Sequence, residues 1–377
     1  MASVPNGMGA FLVNHDGDDM MKGKRDRILT GHRPTGPRHI GHLVGTLECW
    51  TELQNEYDAF FLVADLHVLT TQFKRPERIQ ENIFQLLVDW LSAGIDPEKS
   101  TLVLQSALPE HSQLSLLFNM LVTVARAERV PTFKEQIKEL DLQPSLGLLT
   151  YPVLQAADIL LYHANAVPVG EDQLPHIELT REIARRFNRQ YGETFPIPEA
   201  LVLKSEAARL PGIDNRTMHT SYGNAIYLGD TPEETNRKVM SMYTEPNRLK
   251  STDPGTVEGN PVFTYHDLFN PDKGMVEDLK NRYRVGKVGD VEVKQLLVDV
   301  LNEALEPLRD RRTELLQRRI EIMDILQAGT EIARPLVQDS LALVQEKMGL
   351  RSPLHATPLP HKEAIQISLR KNPLGFI

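Results

Sequence analysis

The residues that could carry chemistry begin in a Gly/Pro-rich turn, TGHRPTGPRHIGH, at residues 30–42. His39 and His42 are three residues apart where a helical pattern starts, so they share the face of its first turn. N–H groups at a helix N-terminus suit a phosphate, and Gly41 lets a ligand approach the backbone closely. Imidazoles there can stabilise the charge of a phosphoryl transition state. A tight turn with surface histidines is the plainer interpretation, but the intact HIGH tetrapeptide favours a nucleotide site.

A second set of polar residues interrupts the apolar helical segment YPVLQAADILLYHA. Tyr151, Gln155, Asp158 and Tyr162 occur at i, i+4, i+7 and i+11, and therefore share one face. A buried carboxylate needs a partner. Because an ionised carboxylate only accepts and an indole N–H only donates, Asp158 could select an indole ring over a phenyl ring. A carboxylate that caps a neighbouring loop explains the same residue equally well.

Alternating strand and helix patterns surround both segments. The apolar runs RDRILT, DAFFLVAD, STLVLQS, AVPVG and EALVL predict a parallel sheet in an α/β domain over residues 26–230. Ligands of open parallel sheets bind beyond the C-terminal ends of the strands. The site should therefore lie in the loops after Thr30, Ala64 and Gln105 and around Gly170. The stretch VGEDQ at Gly170 also fits a helix start with acidic residues.

Strand patterns stop near residue 231, and residues 231–350 are predicted to be helical. Residues 1–25 are interpreted as a flexible N-terminal arm, and residues 351–377, with four prolines, as an extended tail. The N-terminus lacks the long apolar core of a signal peptide. The single Cys49 cannot form an intrachain disulfide, so a reducing cytoplasm is the expected setting.

The composition is that of a globular protein, with 41% hydrophobic and 25% charged residues among 377. No segment approaches the roughly 18 apolar residues of a membrane span, and we expect no membrane partner. The net charge of −9 argues weakly against nucleic acid. Arginines nevertheless cluster at residues 181–189 and 309–319, where each cluster is either a solvated helix face or an RNA contact.

The turn T-G-x-x-P-T-G-x-x-H-I-G-H resembles the first signature of the class I aminoacyl-tRNA synthetases. The segment YPVLQAADILLY, followed by VPVGEDQLPHIELTREIARRFN, resembles the tryptophanyl-tRNA synthetases more than their tyrosyl relatives. Arg33 and the stretch GTVEGNPVF at residues 255–263 are similar to the auxiliary or second-type bacterial subgroup. The resemblance covers about residues 27–345.

This resemblance implies a Rossmann-type catalytic domain that binds ATP and tryptophan, followed by an all-helical anticodon-binding domain. The implied enzyme, a tryptophan--tRNA ligase, activates L-tryptophan with ATP and Mg²⁺ and transfers it to tRNA(Trp). It also implies a homodimer.

The resemblance further implies a role for individual residues. Asp158 would accept the indole N–H, and His67, Tyr151, Gln155 and Gln173 would border the tryptophan. Asp65 would support that pocket. The residues implied for ATP are Arg33, Thr35, Gly36, His39, Gly41, His42, Gly170, Asp172, Gln173, Met218 and Ser221. No residue is expected to ligate a metal.

The second class I signature, KMSKS, is altered and reads Thr217-Met218-His219-Thr220-Ser221. Both lysines are threonine, although a lysine contact to pyrophosphate contributes on the order of 1.5–3 kcal/mol. We expect His39 and His42 to be catalytic, with Arg216, His219 or Lys134 making up part of the missing charge. The alternative is a catalytically weakened, synthetase-like protein that acts as a tryptophan- or tRNA-binding sensor or partner.

Overall fold

The computed structural model describes residues 25–74, 76–140, 144–202, 210–218, 222–246, 248 and 250–350. The predicted C-terminal tail and all but Arg25 of the N-terminal arm lie outside the described residues, as do His219, Thr220 and Ser221.

Five parallel strands form the sheet, in the order β3-β2-β1-β4-β5. Their bounds are β1 Arg27–His32, β2 Asp58–Val63, β3 Ser100–Leu104, β4 Ala166–Val169 and β5 Glu199–Val202. Each coincides with one predicted apolar run, so the prediction of a parallel sheet is confirmed. Alternate residues of β2 belong to different apolar clusters: Phe61 lies in one, and Phe60 and Leu62 lie in the other. The sheet is therefore buried on both faces, which explains why its strands read as continuous apolar runs.

Helices cover both faces and continue to residue 347. Their bounds are α1 Ile40–His42, α2 Glu48–Glu56, α3 Asp65–Gln72, α4 Ile79–Ala93, α5 Glu110–Asn119, α6 Val124–Ala127, α7 Pro131–Leu140, α8 Leu146–Leu161, α9 Leu174–Tyr191, α10 Pro232–Met240, α11 Pro261–Phe269, α12 Lys273–Arg284, α13 Asp290–Leu316 and α14 Arg319–Lys347. A short π-helical segment at Leu43–Leu47 joins α1 to α2, and such segments are frequent at functional sites. None of the described helices is long and apolar enough to span a membrane.

The sheet has a topological switch point between β1 and β4. Chain connections from β1 lead to β2 and β3 on one side, whereas β4 and β5 lie on the other. The two strands pair at Ile28 and Ala166, and the Thr30 hydroxyl then donates to the Pro168 carbonyl at 3.1 Å. Open parallel sheets bind ligands in the crevice at such a point. The HIGH turn leaves β1 here, and the VGEDQ segment leaves β4 beside it.

The part of the chain described after residue 231 contains helices and no strand, as expected. Its last helix, α14, returns to the sheet and packs against the edge strand β3. A Cβ added to Gly329 would lie 2.2 Å from the Leu102 carbonyl oxygen, so glycine permits this close approach. The Thr330 hydroxyl accepts from the Leu104 N–H at 3.0 Å. The division of the chain at residue 230 into catalytic and anticodon-binding domains stays a prediction.

Candidate active site

The phosphate-binding turn predicted at the end of β1 brings its two signature histidines into contact. Gly36 has a φ of +143°, which a residue with a side chain rarely adopts. His39 is the N-cap of α1, and its N–H donates to His42 Nδ1 at 3.3 Å. The two imidazole centroids are 3.8 Å apart. Thr35 contributes its hydroxyl to the same turn as an acceptor for the Arg38 guanidinium, at 3.3 Å.

His42 is a neutral imidazole in this environment. Burial lowers its pKa well below the usual value, and the charge of Arg38 lowers it further. Because Nδ1 accepts the His39 N–H, the proton of the neutral ring lies on Nε2. His42 can therefore donate one hydrogen bond from Nε2 to a phosphate oxygen, which is the role its position in the signature predicts.

The chain beyond the second signature pairs with the first signature. The Ile40 N–H donates to the Ile226 carbonyl at 3.0 Å, and the Leu228 N–H donates to the Arg38 carbonyl at 2.9 Å. Met218 is buried, and its sulfur would lie 3.6 Å from a Cβ added to Gly41. The structure thus brings the predicted ATP residues Gly41 and Met218 together across two distant segments.

The first part of the altered signature is a short turn. Thr217 pairs with Pro211, and the Gly212 N–H donates to the Arg216 carbonyl at 2.7 Å. The Arg216 guanidinium pairs with Asp214 at 2.6 Å, with 66% of its side chain exposed. Its charge is therefore directed to a neighbouring carboxylate in this conformation. The predicted roles of His219 and Ser221 concern residues outside the described part of the chain.

Asp158 lies at the centre of a buried polar network. Its Oδ1 accepts from His111 Nδ1 at 2.7 Å, and its Oδ2 accepts from His67 Nε2 at 2.9 Å. The Gln105 amide donates to both oxygens at 2.9 Å. Burial alone raises the pKa of Asp158, but the hydrogen bonds from His111 and His67 outweigh it and hold the pKa well below the usual value. Asp158 is therefore a carboxylate near neutral pH, and among the described residues its hydrogen bonds come from side chains and not from the backbone of a loop.

These contacts constrain how Asp158 could recognise an indole. A carboxylate has about four lone-pair directions, and four donor contacts already occupy them. An incoming indole N–H must therefore take the place of one donor.

Tyr151, which lies on the same helix as Asp158, belongs to a second hydrogen-bonded group that joins α7, α8 and α9. Its hydroxyl lies 2.6 Å from the Thr132 hydroxyl, which lies 2.8 Å from His176 Nε2. The His67 and Tyr151 rings meet edge to face at 6.3 Å. Gln155 is half-buried between Tyr151 and Asp158 along α8. The structure therefore places all the predicted tryptophan residues of α8 on one face, with His67 opposite.

The segment after β4 presents polar groups at the switch point. A Cβ added to Gly170 would lie 2.7 Å from Asp172 Oδ1, so a larger residue there would displace that carboxylate. The Gln173 amide donates to Asp172 Oδ2 at 2.6 Å. Asp172 is exposed, and so is Arg33, which directly follows β1.

Four residues of the site were missed by the sequence interpretation: Gln105, His111, Thr132 and His176. Gln105 directly follows β3 at the binding edge of the sheet, which is the signal that could have found it. His176 lies one helical turn after the VGEDQ segment. His111 and Thr132 occur in helices without any informative spacing.

Comparison with known proteins agrees with this geometry. Residues 21–306 match a family model described as tRNA synthetases class I (W and Y). The chain is 48% identical over 335 residues to the tryptophan--tRNA ligase of Chlamydia caviae, covering 87% of this chain and 96% of the relative. It is 47% identical over 339 residues to the ligase of Treponema pallidum, covering 89% and 99%.

Solved structures show the same likeness. Tryptophanyl-tRNA synthetase from Campylobacter jejuni, complexed with ADP and tryptophan, is 33% identical with a TM-score of 0.78, covering 86% of this chain and 100% of that chain. A tyrosyl-tRNA synthetase from Archaeoglobus fulgidus is 23% identical with a TM-score of 0.60, over 77% and 91%, which shows the shared fold alone. The chain therefore belongs to the class I tRNA synthetases for tryptophan and tyrosine, and among them to the tryptophanyl-tRNA synthetase family.

Proposed function

We propose that this chain activates L-tryptophan with ATP and transfers it to tRNA(Trp), as a tryptophan--tRNA ligase. The observation that carries the proposal is the convergence of two built sites at one edge of the sheet. The HIGH turn, with neutral His42, leaves β1, and the Asp158 network lies between the ends of β2, β3 and helix α8. The curated relatives, matched over nearly their whole length, carry this activity in their names.

The reaction joins the tryptophan carboxylate to the α-phosphate of ATP and releases pyrophosphate. The chain contributes positioning and charge stabilisation without a covalent enzyme intermediate. The His42 Nε2 proton would hold a phosphate oxygen, and Gly41 would let the triphosphate approach the backbone closely. The Asp158 network would orient the indole, and Tyr151 with Gln173 would border the rest of the amino acid.

Mg²⁺ belongs to the proposal as the ion that accompanies ATP. The described residues contain no group of three or more His, Cys, Asp or Glu side chains arranged to hold a metal. The ion would therefore be held mainly by the phosphates, as Mg²⁺ often is. Its chemistry there is to neutralise charge on the leaving pyrophosphate.

A homodimer in a reducing cytoplasm completes the proposal. Large apolar side chains are exposed on helices that pack against α8, namely Leu69 and Phe73 near α3, Leu116 and Met120 near α5, and Leu146 at the start of α8. Exposed apolar side chains on neighbouring helices are typical of protein interfaces. The cytoplasmic setting rests on the reaction and on the single cysteine.

The test is tryptophan-dependent exchange of pyrophosphate into ATP, followed by charging of tRNA(Trp) transcript. We expect both activities, with exchange dependent on tryptophan and not on tyrosine. Tryptophan binding by calorimetry without exchange would contradict the proposal, because it would show a ligand site that does not perform the activation step. A His42→Asn variant provides the control for catalysis at the described site.

A further inference from the structure

The described turn contains a cation that the proposed mechanism has not used. Arg38 directly precedes the HIGH tetrapeptide, yet its side chain is only 5% exposed. Its guanidinium Nη2 donates to the Gly36 carbonyl at 2.9 Å, to the Arg33 carbonyl at 3.2 Å and to the Thr35 hydroxyl at 3.3 Å. Arg38 therefore lies inside the turn that is predicted to hold the triphosphate.

An ion pair between Asp89 and Arg312, which come from distant helices, holds the backbone of Arg38. Asp89 of α4, which is 1% exposed, accepts from the Arg38 backbone N–H at 3.0 Å through Oδ2. Its Oδ1 accepts from Arg312 Nε of α13 at 2.9 Å, and Arg312 Nη2 donates to Gln85 at 2.6 Å. Arg312 lies in one of the clusters considered for RNA contact, but in this structure it is held in a buried ion pair.

The cluster has an excess of positive charge. The cluster contains two guanidinium groups and one carboxylate, so Arg38, Asp89 and Arg312 together carry a net positive charge. Burial lowers the pKa of Arg38 to about 10, which leaves it ionised at neutral pH. Within the described part of the chain, Arg38 Nε has no hydrogen-bond partner. A buried charge with incomplete hydrogen bonding is costly unless an anion compensates it.

Other described cations near the site are placed differently. Arg33 is exposed at the end of β1, Arg216 is paired with Asp214 and largely exposed, and Lys134 is exposed on α7. The two signature lysines are absent from the sequence, with Thr217 and Thr220 at those positions. We propose that Arg38, whose backbone N–H is held by Asp89 of the Asp89–Arg312 pair, supplies buried positive charge to the ATP triphosphate in place of those lysines. This inference rests on the proposed function.

The Arg38 side chain both braces the turn through its hydrogen bonds and supplies positive charge, and variants separate these two contributions. Arg38→Met removes both, Arg38→Gln removes the charge while keeping a hydrogen-bond donor, and Arg38→Lys keeps the charge. Each is made in the full chain and in a Thr217→Lys/Thr220→Lys chain that restores the signature lysines. Arg284→Met, which breaks an exposed pair with Glu258, is the matched control and should match the parent.

Exchange kinetics give the first measurement. Met and Gln should weaken kcat/KM for ATP by about 10- to 100-fold, the size expected for losing a charged contact. Lys should stay within about threefold of the parent, and the KM for tryptophan should not change. In the lysine-restored chain, the effect of Arg38→Gln should fall to about threefold or less, because the charge is then supplied twice.

Three results would overturn the inference. The first is unaltered ATP kinetics in Arg38→Met and Arg38→Gln. The second is an equal loss of kcat/KM in Arg38→Lys and Arg38→Met, and the third is an equal loss in the parent and lysine-restored chains. The second and third results would show that Arg38 only braces the turn. Calorimetric affinity for ATP, measured on the same proteins, supplies an independent readout. If the parent shows no exchange, the proposed function fails, while the ATP affinities of the variants still decide the role of Arg38.

Discussion

At the scale of single residues, the site depends on buried histidines that stay neutral and on one buried carboxylate that stays charged. Burial disfavours the charged form of all of them. For His42 it acts with Arg38, and the two together remove the proton. For Asp158, hydrogen bonds from two imidazoles overcome burial. Both groups are buried, yet His42 is neutral and Asp158 is charged, because their neighbouring groups differ.

Replacing Asp158 by Asn should impair tryptophan recognition more than ATP recognition. The amide presents an NH₂ group where the carboxylate accepted bonds, so one donor from the network faces another donor. We expect the KM for tryptophan to rise by about 100-fold or more, while the KM for ATP changes little. Tyr162→Phe, which removes only the contact of a hydroxyl to His111 at 3.2 Å, is the milder control. An unchanged KM for tryptophan in Asp158→Asn would refute the assigned role.

His176 should make the stability of the fold depend on pH below neutrality. Burial lowers its pKa to about 4 in the folded chain, against about 6.5 for an unfolded histidine. Between these values the unfolded state binds more protons, so the free energy of unfolding falls as the pH falls. At pH 7 both states are neutral and the effect vanishes.

The measurement is urea unfolding of the parent and a His176→Gln variant at pH 7, 6, 5 and 4.5. The parent should lose up to about 1.4 kcal/mol per pH unit more than the variant below pH 6. Parallel pH profiles for the two proteins would contradict the assignment of a neutral, buried His176.

At the scale of elements, long-range pairing decides which signature segments meet. Residues 225–228 pair antiparallel with the HIGH turn, through Ile40 and Ile226 among others. Helix α13 reaches the back of that turn through Arg312. Helix α14 covers β3, the edge strand that would otherwise expose unpaired backbone groups. The helices after residue 231 therefore support the catalytic sheet directly.

The approach of α14 to β3 predicts a strong size limit at Gly329. An added Cβ would lie 2.2 Å from the Leu102 carbonyl oxygen, so Gly329→Ala requires a shift of the helix or the strand. We expect a loss of about 1–3 kcal/mol in the free energy of unfolding, despite the better helix propensity of alanine. Gly147→Ala is the matched control, because its nearest neighbour would be Ser145 Oγ at 3.8 Å. Chemical denaturation measures both, and equal stabilities would show that the close approach is absent in solution.

At the scale of the whole molecule, the order of strands decides where the site lies. The switch point between β1 and β4 opens one crevice, and the HIGH turn, VGEDQ and α8 all border it. The exposed apolar side chains near α8 lie on helices that also border the proposed tryptophan pocket. A dimer formed there would couple the pocket to a second copy of the chain.

That surface predicts the oligomeric state. Leu116→Glu combined with Met120→Glu places two charges on residues that are 59% and 69% exposed. The parent should show the mass of a dimer by light scattering, and the double variant the mass of a monomer. Ile332→Glu on α14, at a residue 65% exposed, is the control that should leave the dimer intact. A parent that is monomeric at micromolar concentration would contradict the proposed dimer.

Local sequence patterns determined the five strands, the helical C-terminal region and the face shared by Tyr151, Gln155 and Asp158. These features follow from periods of 2 and 3.6 residues and from turn residues, which act over a few positions. The position of His39 and His42 at a helix start was also predictable from the local sequence.

The tertiary structure alone decided which groups donate hydrogen bonds to Asp158 and which residues hold the HIGH turn from the helical region. His111 and Gln105 reach Asp158 across 47 and 53 residues, and Arg312 reaches Asp89 across 223. No local period encodes such contacts, because they depend on how helices pack on the sheet and on the need of buried charges for partners. The residue types indicated a nucleotide site and a buried carboxylate, while packing chose their partners and directed the charge of Arg38 into the turn.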